Sequence, residues 1–273
     1  MLDRLESHVA GFGSALVAYS GGVDSTLVAA VARRVLGPDR MVAVLARSPS
    51  LSKESTARAI EVARRFDVPL LTVTTNELDD PHYRANGPDR CYFCKATLWA
   101  RLIPIACARR LDVVLDGTNA DDLRPGEHRP GHRAAREAGV HSPLAALDLG
   151  KEAVRRAARS LGLPNWAAPA APCLASRVRF GLPVTEDRLR QVETAEALVR
   201  RAGIRGDLRV RHLGGTARVE VAAAELPHAQ SVWADLEPRL RDLGFAAVEL
   251  DPRGYRRGAM ILDTAGQCDS SSP

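Results

Sequence analysis

Four short runs of nearly unbroken apolar residues, separated by stretches with helical spacing, constrain this chain more than any other feature. Residues 14–19 (SALVAY), 41–46 (MVAVLA), 69–74 (PLLTVT) and 111–116 (LDVVLD) read as strands. Helices are expected over 24–36, 52–66 and 95–110, the last kinked at Pro104. A strand that is apolar on both faces must be covered on both faces. Strand–helix–strand repetition achieves this with a parallel sheet. The expected fold class is therefore α/β with a Rossmann-like parallel sheet. Ligands of such sheets sit beyond the carboxyl ends of the strands. The turn SGG, the pair Thr118–Asn119 and a loop bearing Cys91 all fall at such ends.

Residues 164–172 (PNWAAPAAP) interrupt the alternation and read as a linker. Beyond it a helix over 185–202, strands over 208–212 and 217–221, a helix over 227–243 and a strand over 246–249 describe a small α+β module. The expected division is a nucleotide-handling domain over 1–165, the module over 166–262 and an unstructured polar tail over 263–273. A chain of 273 residues is long enough for both domains.

The formal charge of +5 permits nucleic acid or small anions as partners. The arginines are spread along helices such as 151–159 rather than gathered in one basic run, as solvated helix faces require. Nucleic acid is therefore not the expected partner. No segment approaches the ~20 apolar residues that span a bilayer, and the first residues do not resemble a secretory signal. The expectation is a cytoplasmic protein with no membrane partner. In a reducing compartment Cys91, Cys94, Cys107, Cys173 and Cys268 point to metal or catalytic roles before disulfides.

The strongest local signal is Ser20-Gly21-Gly22-Val23-Asp24-Ser25, lying between a strand and a helix. Two glycines let the backbone approach an anion, and free N–H groups at the helix start favour phosphate. The two serines add hydroxyl donors, and Asp24 is a candidate to hold Mg²⁺ and act in catalysis. The Gly-Lys-Ser/Thr ending of a Walker A loop is absent. The hexapeptide instead resembles the pyrophosphate-binding loop of ATP pyrophosphatases, the PP-loop enzymes, which transfer AMP to a carboxylate or carbonyl oxygen. A nucleophile then displaces AMP, ammonia in some members and sulfur in others, and no glutaminase-like domain is visible here.

The cysteines bear on the sulfur alternative. Cys91 and Cys94 form a Cys-x-x-Cys without the second pair of a zinc site. Cys173 lies in PCLASR, where Arg177 would favour thiolate and Ser176 adds polarity. Three thiolates could ligate an iron–sulfur cluster with one iron open. The alternative for Cys173 is a buried small hydrophobe, and the polar neighbours Ser176 and Arg177 count against it. Cys107, Cys268, Trp99 and Trp166 read as bystanders or packing residues.

Taken in order, SGGVDS, RCYFCK, DGTNADD, RPG, SPL, PCLASR and RVRH resemble the LarE family of ATP-dependent sulfur transferases, over residues 2 to about 262. The resemblance implies adenylylation of pyridinium-3,5-biscarboxylic acid mononucleotide, a nucleotide-like carboxylate on the route to the nickel-pincer cofactor, followed by thiocarboxylate formation. In one branch the cysteine matching Cys173 is itself the donor and is left as dehydroalanine. In another, cysteines matching Cys91, Cys94 and Cys173 hold a 4Fe-4S cluster, and the presence of all three here favours that branch. ATP and Mg²⁺ are the implied cofactors and a homo-oligomer the implied assembly. Thr118, Asn119 and Asp122 are expected at the nucleotide, with Asp116 and Asp121 equally readable as turn and capping residues. Ser176, Arg177, Arg209 and Arg211 are expected at a substrate phosphate, the last two on one face of a strand. Arg-Pro-Gly occurs at both 124–126 and 129–131, so no role is assigned to either. A tRNA thiolase and an amide-forming ligase like NAD or GMP synthetase are the competing readings.

Overall fold

The computed structural model describes residues 1–124, 130–169 and 172–256. Pro125, Gly126, Arg129, Cys268 and the tail 263–273 lie outside the described residues. The chain forms two compact units, Met1–Tyr83 with Asp89–Ala171, and Arg84–Pro88 with Pro172–Pro273.

In the first unit the four apolar runs become a parallel sheet of β1 (Ala15–Ala18), β2 (Met41–Arg47), β3 (Leu70–Thr74) and β4 (Val113–Leu115), in the order β3-β2-β1-β4. The accompanying helices are α1 (Leu2–Ala10), α2 (Val23–Leu36), α3 (Lys53–Arg65), α4 (Pro81–Arg84), α5 (Arg90–Ala108), α6 (Pro130–Glu137), α7 (Pro143–Ala146) and α8 (Lys151–Ser160). Successive side chains of β1 face opposite sides. Ala15 and Val17 join a core with Leu27, Val31, Leu144 and Val154, while Leu16 joins a second core with Val42, Trp99 and Leu102. Burial on both faces is why the strands read as unbroken apolar runs. Small residues such as Ala29 and Ala32 of α2 and Ala157 and Ala158 of α8 are fully or almost fully buried.

The chain runs outward from β1 to β3 and then returns to place β4 on the other side of β1. Strand order therefore reverses between β1 and β4, the point at which open α/β sheets part their connections and receive ligands. Local signals set several boundaries. Ser52 caps α3 by accepting from Ser55 N at 3.1 Å, a bond worth about 1 kcal/mol.

Two expectations are corrected. Helix α5 begins at Arg90 rather than 95, so Cys91 and Cys94 occupy a helical first turn and not a loop. Tertiary contacts hold that turn: Phe93 stacks on His82, and the Tyr92 hydroxyl donates to Glu137 at 2.6 Å. The helix expected over 227–243 is two helices, α10 (Leu226–Ser231) and α11 (Trp233–Arg241). At the break the Ser231 hydroxyl donates to the His228 carbonyl, a local bond that competes with helix continuation.

The second unit pairs β5 (Leu208–His212) antiparallel to β6 (Thr216–Val221), and β6 parallel to β7 (Ala247–Leu250). Helix α9 (Glu186–Arg201), capped by Thr185, contributes Ala195, Leu198 and Val199 to the core with Val210, Val219 and Leu240. The short stretch Arg84–Pro88 belongs to this unit through Asn86. It is fully buried at φ 57°, a left-handed conformation that asparagine tolerates, and its Nδ2 donates to the carbonyls of Arg179 (2.9 Å) and Leu182 (2.8 Å). Among the described residues no helix is long and apolar enough to cross a membrane.

His212 on β5 is buried, with Nε2 3.1 Å from Gln191 Oε1 and Nδ1 accepting from Gly214 N at 3.3 Å. That pattern holds the neutral imidazole with its proton on Nε2. Burial, reinforced by the charge of Arg188, lowers its pKa from 6.5 to about 4. The folded state thus binds a proton more weakly than the unfolded state, so this contribution to stability is complete above pH 6.5 and is lost as pH falls towards 4. Urea unfolding across that interval should show a falling midpoint for the wild type and a flatter profile for His212→Gln. Equal slopes would refute the assignment.

Candidate functional site

At the carboxyl end of β1 the chain turns through Ser20, Gly21 and Gly22 into α2. Gly21 has φ 76°, and a Cβ there would lie 2.5 Å from Ala59 Cβ and 2.9 Å from its Cα. Conformation and space both require glycine. Gly22 is the N-cap of α2 and makes no side-chain capping bond, so first-turn N–H groups are left for an outside acceptor. The hydroxyls shape the loop. Ser25 Oγ donates to Gly22 O at 3.1 Å, accepts from Ser20 N at 3.2 Å and lies 3.0 Å from Ser20 Oγ. Ser20 Oγ in turn accepts from Gly22 N at 3.3 Å. Ser25 is buried and Ser20 exposed, so the first sets the loop's form and the second faces solvent. Val23, the first residue of α2, packs on the core beneath.

The connection after β4 presses against this loop. A Cβ on Gly117 would sit 2.6 Å from Ser25 N, so only glycine permits the approach. Asp116 is buried and accepts from Thr118 N (3.0 Å), Thr118 Oγ1 (2.7 Å) and Ser142 Oγ (2.7 Å), which makes it the organiser of the turn. Thr118 spends its hydroxyl proton on that bond. Asn119 is fully buried; its Nδ2 donates to Asp24 Oδ1 at 3.2 Å, and it forms a reciprocal capping box with Asp122. Asp121 accepts from Lys151 N at 2.7 Å and so caps α8, while Asp122 pairs with Lys151 Nζ at 3.2 Å.

Burial raises the pKa of Asp24, and the charge of Asp122 adds to the rise, against the Asn119 hydrogen bond and Lys151. Two carboxylates close enough to repel are what a divalent cation relieves. Mg²⁺ takes one or two protein carboxylates and fills its shell with water and phosphate oxygens, so Asp24 and Asp122 fit it.

In the second unit Cys173 is half-buried and N-caps a 3₁₀ turn, Leu174–Arg177. Arg177 was expected to address the thiol. Instead its guanidinium is committed elsewhere: Nη1 donates to the carbonyls of Pro172 (2.5 Å) and Cys173 (3.0 Å), and Nε and Nη2 grip Glu196 at 2.9 and 3.2 Å. Its geometry is that of a residue holding the cysteine's backbone. Ser176 Oγ donates to the same Cys173 carbonyl at 2.7 Å.

Arg209 and Arg211 share a face of β5, and both are buried rather than solvated. Arg211 pairs with buried Glu220 at 2.9 Å and donates to Ser176 O at 3.3 Å. Arg209 lies over the Tyr255 ring at 5.1 Å and donates to Leu208 O at 2.6 Å. Burial lowers its pKa, and the charges of Arg177 and Arg211 lower it further. An anion placed there would favour its charged form.

The three cysteines expected at a cluster are divided between the two units. Cys91 is exposed and Cys94 half-buried on α5, and Cys173 belongs to the other unit. Among the described residues no group of three or more His, Cys, Asp or Glu is arranged to hold a metal ion. Cys107 is exposed near the end of α5.

The sequence profile of the NAD synthase family matches residues 2–120, which cover β1 to β4 and the phosphate loop. An uncharacterised protein of Synechocystis is 42% identical over 95% of this chain and 96% of its own length. The pyridinium-3,5-bisthiocarboxylic acid mononucleotide synthase of Lactiplantibacillus plantarum is 36% identical over 89% of this chain and 87% of its own. The chain belongs to the LarE family. An uncharacterised protein of Methanocaldococcus jannaschii is 29% identical over 88% of this chain. Membership makes the chain an ATP-using enzyme of the PP-loop class.

Several residues of these sites escaped sequence reading. Gly117 and Lys151 act through partners far away in sequence, Glu220 pairs across adjacent strands with Arg211, and Asn165 lay within what read as a linker. Gly117 alone left a trace, a glycine at the end of an apolar strand. Replacing Gly21 or Gly117 by alanine should weaken ATP binding by tenfold or more, since forced backbone strain costs about 1–3 kcal/mol. Equilibrium dialysis with labelled ATP measures this, and unchanged affinity in both variants would remove the loop from the site.

Proposed function

We propose that this chain is an ATP-dependent sulfur transferase that adenylylates a carboxylate of pyridinium-3,5-biscarboxylic acid mononucleotide and exchanges the AMP-bearing oxygen for sulfur, in nickel-pincer cofactor assembly. The observation that carries the reading is a sulfur-bearing residue, Cys173, whose backbone is gripped by a buried arginine cluster, in a chain that also holds a PP-loop. The L. plantarum relative, whose name states that product, supports it along nearly the whole chain.

The N–H groups of α2 and the Ser20 hydroxyl bind the phosphates; Asp24 and Asp122 would hold Mg²⁺, which would supply positive charge against the phosphates. A substrate carboxylate oxygen attacks the α-phosphorus, the bond to the β-phosphate breaks, and pyrophosphate leaves. The buried arginines suit the substrate's own phosphate, with Arg209 and Arg211 as donors and Glu196 and Glu220 holding the cluster in place. The Cys173 thiolate then attacks the acyl carbon and expels AMP, giving a thioester. A base removes the Cα proton of residue 173, the Cβ–S bond breaks, and the thiocarboxylate departs, leaving dehydroalanine.

Cys91, Cys94 and Cys173 are the residues that would hold a 4Fe-4S cluster as the alternative source of sulfur. With ATP, Mg²⁺ and substrate, intact mass should fall by one H₂S. Cys173→Ser should abolish that loss and the thiolated product while pyrophosphate release continues. Product without mass loss, together with iron and acid-labile sulfide that vanish in Cys91→Ser, would move the sulfur source to a cluster. A Cys173→Ser variant that still makes full product with ammonium would favour the amide-forming reading that the NAD synthase match suggests. In parallel, Asp24→Ala should lower pyrophosphate release by at least ~100-fold with an unchanged melting temperature, because it removes one of the two carboxylates that would hold the Mg²⁺ which offsets the phosphate charge. Full turnover in that variant would displace Asp24 from the reaction.

A further inference from the structure

Behind the phosphate loop of the first unit runs a buried polar chain that the adenylylation scheme does not use. Asn165, 5% exposed, donates from Nδ2 to Gly21 O at 2.9 Å and to Thr26 Oγ1 at 3.0 Å. Thr26, itself buried, lies beside Tyr19, whose hydroxyl donates to Ala59 O at 2.9 Å. Ala59 is the residue wedged beneath Gly21. The Gly21 peptide is thus gripped from two sides, its carbonyl by Asn165 and its Cα by an alanine that Tyr19 holds.

The amide orientation of Asn165 is dictated by its partner, because a carbonyl only accepts. This leaves Asn165 Oδ1 buried with no hydrogen-bond partner. An unsatisfied buried acceptor costs free energy, so the position is maintained for its two N–H donors. What those donors control follows from peptide geometry. In a trans peptide the carbonyl of one residue and the N–H of the next point in opposite directions. Holding Gly21 O inward therefore turns Gly22 N–H outward, where it now meets the exposed Ser20 hydroxyl.

We propose that Asn165 is a positioning residue for the triphosphate: by holding the Gly21 carbonyl it sets the Gly21–Gly22 peptide plane and aims the Gly22 N–H at bound phosphate. This assignment rests on the ATP reading of the loop. Asn165 touches neither nucleotide nor reacting atoms; its effect passes through one peptide bond. Loss of the clamp frees that plane to rotate, which weakens ligands that carry β- and γ-phosphates there and spares ligands that lack them.

The test is calorimetric titration of the full chain with α,β-methylene-ATP and separately with AMP. In Asn165→Ala the triphosphate analogue should bind about tenfold more weakly, as expected for one lost backbone-orienting bond, with AMP affinity within about twofold of wild type. Thr26→Val, which leaves Asn165 in place but removes the hydroxyl that steadies its amide, should show the same split to a smaller degree and serves if Asn165→Ala does not fold. Thr26→Ser should restore the wild-type ratio. Equal weakening of both nucleotides, or of neither, would overturn the assignment. If the wild type binds no α,β-methylene-ATP, the ATP reading fails first and this one with it.

Discussion

The first unit depends on one close contact, the approach of Gly117 to the backbone of Ser25 across the seam where strand order reverses. β4 returns to pair with β1, and their carboxyl-terminal connections emerge side by side. No side chain fits between them at Gly117, and the space is closed again on the far side where Ala59 meets Gly21. A loop confined from both sides has little freedom left. Its N–H groups are arranged before any ligand arrives, and arranged dipoles stabilise developing charge without reorganisation. The same approach brings Asn119 to Asp24, whose pKa burial raises and the charge of Asp122 raises further.

The second unit solves a different problem. Arg177, Arg209 and Arg211 are each at least nine-tenths buried, and a buried ion costs several kcal/mol unless its charge and hydrogen bonds are met. Glu196 and Glu220 meet much of the demand for Arg177 and Arg211, and carbonyls of the cysteine turn meet more. Burial lowers the pKa of Arg209, and the charges of Arg177 and Arg211 lower it further. The cluster therefore does two jobs with one set of contacts, fixing the backbone of Cys173 and presenting positive charge.

Much of this was legible in the residues. The apolar runs announced a parallel sheet because strands covered on both faces need no polar alternation, and the four runs are the four strands. SGGVDS announced a tight strand–helix turn because its glycines permit a backbone that other residues cannot adopt there. The helix starts at Ser52 and Thr185 were legible from local residue type as well. The cysteine helix was not: an aromatic, weakly patterned turn became helical through Phe93 on His82 and Tyr92 on Glu137, contacts with no local signature. Nor was the role of Asn165, whose partners Gly21 and Thr26 are distant in the chain.

The sequence by itself determined the class of fold and the family, since each rests on residue type and spacing within a few turns of chain. Tertiary structure alone decided which polar residues serve the site and which serve the scaffold. It made Asp116 and Asp121 structural, turned Arg177 from the thiol to the backbone and Glu196, and drew Asn165 out of an apparent linker into the wall behind the loop. The reason is physical: a buried polar group must find its partners wherever packing puts them, and packing is a property of the whole fold.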